Sequence, residues 1–366
     1  MTKRHVKCLG WTTAVIVTAL GAAAPAEAGT APTVRHTTHI VHPGESIQRA
    51  VDRARPGHTI LIRPGTYRES VLITTPHLTI RGSGPDTVLT GANRGAAVRS
   101  ENTCARDGNG ICVIGRTGRP VEGVSIHDLT LTDYRKNGLW ASRTDRLSVE
   151  KVNARTNGQW GMAQEWSTRG RFHANLARDN KESGIFIANT IDREGGGLDT
   201  RGASVTSNRL VGNRIGVTLR RVRNLTVQDN RINGNCGGVF VVGDEGTPPA
   251  GAMTIRANVV ERNNRYCAGN SRLPYIQGSG IVLTGTERTL VTRNVVRNNH
   301  GESPLSGGIV LFKSFVGATN ERNVISYNTA LGNRPADLVD QEPGNNNRFI
   351  DNVCRVSKPS GLCRLP

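Results

Sequence analysis

The stretch from residue 208 to 242, NRLVGNRIGVTLRRVRNLTVQDNRINGNCGGVFVV, holds two copies of one unit. Each copy opens on Asn-x4-Asn, at 208/213 and again at 230/235, and a glycine follows eight residues after the first Asn, at Gly216 and Gly238. Behind each glycine runs a short alternating segment, GVTLR and then GVFVV. Working outward, the same glycine-led segments occur at Gly138 (GLWAS), Gly161 (GMAQE), Gly184 (GIFIA), Gly280 (GIVLT) and Gly308 (GIVLF). The Asn pairs occur at 175/180, 258/263, 294/299 and 323/328. From Gly161 to Asn175, from Gly216 to Asn230 and from Gly280 to Asn294 the gap is 14, so the unit is about 22 residues long.

A unit of that length with period-2 alternation is too short for a helix pair and lacks the four strands of a propeller blade. It fits one coil of a single-stranded, right-handed parallel β-helix, an all-β solenoid. Side chains alternate across a strand, so the residues one and three after each glycine point inward. Of the pairs Leu139/Ala141, Met162/Gln164, Ile185/Ile187, Val217/Leu219, Val239/Val241, Ile281/Leu283 and Ile309/Leu311, Gln164 alone is polar. Stacked coils place the Asn residues above one another at a corner, where their amides bond neighbouring backbone. Asp128 and Asn153 are expected to extend that ladder.

Composition agrees. The chain has 366 residues with 43 Gly, four Trp, five Tyr and six Phe, and a formal net charge of +18. Few aromatics and no long apolar helix disfavour a bundle or a membrane-spanning protein. Residues 1–28 read as a cleaved export signal: Lys3, Arg4 and Lys7, an apolar run from Leu9, then small residues ending at Ala26-Glu27-Ala28. Residues 29–44 form a short leader and 45–366 the solenoid. Six cysteines follow Ala28, an even number that in an exported chain implies disulfides. Proximity pairs Cys104 with Cys112, Cys236 with Cys267, and Cys354 with Cys363. No CxxC and no suitably spaced His supports a zinc site.

A solenoid needs its ends covered. Glu45 to Arg55 puts Ile47, Ala50, Val51 and Ala54 on one helical face and reads as the N-terminal cap. The stretch from Pro335 to the last cysteine pair closes the other end. VHPGESIQRAVDRARPGHTILIRPGTYRESVLI, with the Asn/Gly coils after it, resembles the secreted pectate-lyase-like superfamily over roughly residues 40 to 354. The resemblance implies an extracellular protein acting on carbohydrate, without fixing the reaction. The chain has no Asp-Asp and no Gly-His-Gly of the polygalacturonase-like hydrolases. It has no Arg-x-Pro-x-x-Arg of pectate lyases (the nearest string starts at Arg272), and no Asp-Pro-His-Glu of alginate epimerases (the nearest is Thr75-Pro76-His77-Leu78).

Departures from the 22-residue unit locate loops, where solenoids carry function. Excess residues near 189–202 and 243–251 leave one corner, with Arg220, Arg221 and Arg223 expected to floor a notch between them. Asp192, Glu194, Asp199, Asp244 and Glu245 would wall it and are the candidate Ca2+ ligands. Two loops at another corner carry Arg265, Tyr266, Arg272, Tyr275 and His300. Trp140, Phe186 and Phe240 lie two residues after their glycines and point outward, and with Trp166 they are candidates to stack on sugars or to pack under the loops.

Arginines beside carboxylates suit an anionic polysaccharide. In β-elimination or epimerisation a cation neutralises the uronate while a base removes the proton at C5. The catalytic candidates are Arg220, Arg221, Glu165, Tyr266 and Lys313; Arg223, Arg272 and Tyr275 are added to the aromatic set as substrate-binding candidates. Glu165 with Asp244 as a hydrolytic pair is a further alternative. The leading expectation is a monomeric secreted lyase- or epimerase-like protein. A non-catalytic binder of cell-wall polyanions is the competing class, and export disfavours nucleic acid.

Overall fold

Each coil lays one strand into each of three parallel sheets, and the strand order within every sheet follows the chain. The computed structural model describes residues 37–91, 102–190, 195–270, 273–343 and 345–364, all within the unit Arg35–Pro366. The export signal expected at 1–28 lies outside the described residues. The architecture is the right-handed parallel β-helix that the spacing predicts. We call the sheets A, B and C in the order in which a coil visits them.

The core is a set of side-chain ladders. In sheet A, Ile126, Val149, Phe172, Val205, Val227, Ile255, Val291 and Ile325 pair in register, each fully buried. Leu131, Ala154, Ala177, Leu210, Ile232, Val260, Val296 and Ala330 do the same in sheet B. All fourteen inward positions of the Gly-led strands are buried in sheet C, Gln164 included. At roughly 1.5–3 kcal/mol for each large apolar side chain, these ladders are the main stabilising term.

The Asn residues form two ladders at successive corners. One runs Asn175, Asn208, Asn230, Asn258, Asn294, Asn328, Asn352; each amide oxygen accepts from the backbone N–H and the side-chain amide of the residue above. The other runs Asn157, Asn180, Asn213, Asn235, Asn263, Asn299, Asn333 and ends on Asp337. Three expected members fall elsewhere. Asn323 belongs to a shorter ladder with Asn347, so the true pair is 328/333. The coil above Asn175 presents Val152 at the ladder position, whose N–H bonds the Asn175 oxygen, so Asn153 sits one residue past it and Asp128 is not a member either.

Helix α1 (Ile47–Arg53) caps the first coil, with Ser46 accepting from the Arg49 N–H and Ile47 and Val51 buried. The solenoid starts earlier than residue 45, because Thr38–Val41 pairs with Thr59–Ile62 as the first strand of sheet A. All three expected disulfides are present. Among the described residues no helix is long and apolar enough to cross a membrane.

One corner ties stability to pH. Asp145 is buried, which raises its pKa, but hydrogen bonds from Arg169 and Thr168 together with the charges of Arg169 and Arg146 outweigh burial and hold it below the usual carboxylate range. The folded pKa therefore lies below the unfolded value of about 3.9, so the stabilisation is complete above that pH and disappears as pH falls through the folded pKa. Asp145→Asn is expected to cost about 2 kcal/mol at pH 7. Urea titrations should show the gap between wild type and variant narrowing as pH falls below the unfolded value of about 3.9; a constant gap would refute this assignment.

Candidate functional site

The outward middle position of sheet C is a ladder of alternating size: Trp140, Ala163, Phe186, Thr218, Phe240, Val282 and Val310 pair in register. Over the small Ala163 the chain lays its own Trp160, whose ring is stacked on Phe186 (centroids 4.1 Å apart, 8° between planes) and, at 6.0 Å, on Trp140. Over Thr218, between Phe186 and Phe240, the face is instead a cleft of about 410 Å³. Strands two apart are about 9.6 Å apart, which leaves room for one flat ring over the threonine.

Three inserted segments wall the cleft. Asn270, Leu273 and Leu305 come from the loops at the corner between sheets B and C, the first of which is tied to the solenoid by Cys236–Cys267. Phe312, Ser314, Phe315 and Val316 come from the segment that follows Gly307–Leu311. Arg220, Arg221, Val242, Gly243 and Asp244 form the far edge. Phe315 and Val316 remain 64% and 46% exposed at the rim. On the floor, the Ser183 and Thr218 hydroxyls bond each other at 2.7 Å.

The notch expected over the arginines is not open. Asn189 N–H bonds Arg220 O and Leu198 N–H bonds Arg221 O, so the arginines do lie between the two loops in coil order. But the loops meet. Gly197 N–H donates to Pro248 O at 2.6 Å, and a Cβ on Gly196 would lie 2.1 Å from the Thr247 oxygen, so glycine is what lets the backbones touch. Beneath them Arg221 and Asp244, both buried, form an ion pair. Arg223 is used in holding Pro249 O (3.0 Å) and Glu287 (3.3 Å).

The remaining expected residues are scattered. Glu165 is buried two rungs above Arg220 on the same ladder and accepts from the Ser142 hydroxyl. Tyr266 is 64% exposed and packs on Tyr275, whose hydroxyl donates to Glu302 O. Lys313 is exposed between two cleft residues, Phe312 and Ser314. Arg143 covers Trp166, with its guanidinium 4.0 Å from the ring centroid. Arg265 bonds Gly212 O and His300 bonds Gly332 O. Asp199 accepts from Arg201 N–H and the Asn224 amide, and Glu245 is exposed. Asp192, Glu194 and Arg272 lie outside the described residues. Among the described residues no three His, Cys, Asp or Glu side chains converge, so the expected Ca2+ wall is not assembled by those that are described.

Among the residues lining the cleft, Phe186, Phe240, Arg220, Arg221 and Asp244 are candidates the sequence had offered. Leu273, Leu305, Phe312, Phe315 and Val316 were not. Phe312 ends the last Gly-led repeat, and that was the one available signal.

A family model described as periplasmic copper-binding protein (NosD) matches residues 70–358. A search of curated proteins finds no match. Among solved structures, the chain is similar to the A-module of mannuronan C-5 epimerase AlgE6 of Azotobacter vinelandii (18% identity, TM-score 0.60, covering 84% of this chain and 88% of that one). It is also similar to the periplasmic alginate epimerase AlgG (14%, 0.53, 87% and 84%) and to the Dettilon tailspike protein gp208 (13%, 0.52, 85% and 57%). At these identities the likeness is one of fold.

Proposed function

The chain belongs to the periplasmic copper-binding protein (NosD) family, and from that premise we propose an exported β-helix protein that binds an anionic polysaccharide in the cleft of sheet C. The observation that carries this reading is the cleft itself, an aromatic-floored groove with Arg220 at one edge. Aromatic faces stack on sugar rings and a guanidinium engages carboxylate or sulfate bidentately. The three disulfides fit an oxidising compartment, and the solved relatives that are named epimerases act, by those names, on mannuronan and alginate.

The family description names copper, and the donors among the described residues do not fit it. All six cysteines after residue 28 are in disulfides, Met162 and Met253 are buried in the core, and among the described residues no three His, Cys, Asp or Glu side chains converge.

Lyase or epimerase chemistry at the same cleft would use Arg220 against the uronate carboxylate and Lys313 as the base at C5, because Lys313 is the one base candidate flanked by cleft residues. The test is a panel of uronate polymers, read by calorimetry for binding and by absorbance for unsaturated ends. Arg220→Ala is expected to weaken binding about tenfold or more, and Lys313→Ala to abolish turnover while leaving affinity within about threefold. Neither binding nor turnover across the panel would refute the reading.

A further inference from the structure

We propose that the cleft receives the terminal residue of a glycan chain and does not hold the middle of a polymer. This rests on the polysaccharide reading of the same cleft and names the part of the polymer it takes.

A chain threaded through a site needs two openings on opposite sides. On the outer face of sheet C it could run along the solenoid axis, across successive coils, or along the strands, from one corner to the other. Described residues stand on all four of those sides.

Towards the first coils, the space over Ala163 is filled by Trp160, stacked between Trp140 and Phe186 and held by its own N–H to the Asn137 amide oxygen at 3.0 Å. Towards the last coils stands the segment after Gly307–Leu311. Its Phe312 packs on Phe315 with ring centroids 5.0 Å apart, Phe312 O accepts from the Asn320 amide at 2.8 Å, and Lys313 N–H donates to the Gln341 side chain at 3.0 Å. At the corner between sheets B and C, Leu273 and Leu305 come from two loops that are bonded together. Cys267 and Ile276 exchange backbone hydrogen bonds at 2.9 Å, and the Ser303 and Ser306 hydroxyls donate to Gln277 O at 3.0 and 2.7 Å. At the opposite corner, the Arg221–Asp244 pair and the contact of Gly197 with Pro248 close the strand ends. Each side is secured by bonds within the chain itself.

Size agrees with this enclosure. At about 410 Å³ the cleft lies near the lower end of the roughly 300–1,000 Å³ of small-ligand pockets, and the slot over Thr218 admits one flat ring. A chain end can enter such a site while the rest of the polymer rises past exposed Phe315 and Val316 into solvent. An internal residue has neighbours on both sides, and the walls leave them no path.

The experiment titrates the intact protein by calorimetry with oligomers of whichever uronate polymer binds, graded from the trimer to long chains. Physiological salt screens the general positive charge of the surface. A long chain offers no more ends than a short one, so affinity per chain is expected to stay within about threefold across the series. Protein bound per gram of glycan should fall in step with the number of ends. A threading groove gives the opposite result: long chains present many overlapping sites, so affinity per chain climbs about tenfold or more and each chain takes up several proteins. Thr218→Trp fills the slot as Trp160 fills the one beside it, and should weaken binding of every length by about tenfold or more with an unchanged melting temperature. Loading that follows mass, or long chains that still bind this variant, would overturn the chain-end inference while leaving polysaccharide binding standing. Binding by no uronate polymer would remove the polysaccharide reading and the inference with it.

Discussion

Asn258→Ala is expected to lower stability by about 4 kcal/mol, a large share of what a domain typically holds in reserve. The side chain is completely buried and makes four hydrogen bonds. Its oxygen accepts from Asn230 N–H and the Asn230 amide, and its amide donates to Val227 O and the Asn294 oxygen. Alanine leaves the Asn230 backbone N–H and Val227 O buried without those partners, and each orphan costs about 1–3 kcal/mol. Asn258→Asp is expected to cost nearly as much, since a carboxylate accepts but cannot donate and would face both Val227 O and the Asn294 oxygen. The chain itself uses this rule. Its only described Asp in ladder position is Asp337, at the end of the second ladder, where both oxygens accept: one from Asn333, the other from Arg355 and Val356 N–H. Exposed Arg256 is a control, and Arg256→Ala should fall within about 0.5 kcal/mol. Urea denaturation followed by circular dichroism reads all three. A cost below about 1 kcal/mol for Asn258→Ala would mean that the ladder decorates the corner without supporting it.

The fold was legible because each coil solves the same local problem with the same residue types. Val217 and Val239 had to face inward, and Asn208 and Asn230 had to serve the corner, so the pattern repeats where the physics repeats. The first error arose where that logic thinned. Asn323 mimics the spacing, and reading it in the ladder made the distance from Gly308 look like an ordinary coil. The ladder residue is Asn328, 34 residues after Asn294, and the difference is the insertion that carries Phe315 and Val316. A single misplaced asparagine therefore hid one wall of the cleft.

The second error has a different cause. Excess length between Gly184 and Asn208 and between Gly238 and Asn258 correctly placed two loops on either side of Arg220 and Arg221. It could not say whether they stand apart or touch. That depends on Gly196 lying against Thr247, a contact between distant backbones that has no period and uses a residue common throughout the chain. Chemistry that looked like an open basic floor thus becomes an ion pair under a bridge, and the groove moves to the apolar face beside it.

That ion pair gives the second large expectation. Arg221→Met removes the described cation that pairs with the buried Asp244 carboxylate, and Asp244→Leu removes that carboxylate from the buried Arg221. Each single change breaks a buried ion pair and is expected to cost about 3 kcal/mol. Combining them removes both charges, so the double variant should recover most of that loss and the cycle should show a coupling of about 2 kcal/mol or more. Strict additivity of the two single changes would show that the pair is solvated and that the loops above it stand open. Hydrogen exchange supplies an independent reading, because the pair fastens the 243–249 segment to the coil corner. Exchange there should rise in either single variant and return towards wild type in the double, while strands such as Gly237–Val242 stay protected. The double variant also separates structure from recognition. It keeps Arg220 and the aromatic floor, so a ligand whose acidic group is held by Arg220 should bind it within about threefold of wild type, whereas one held by Arg221 should not.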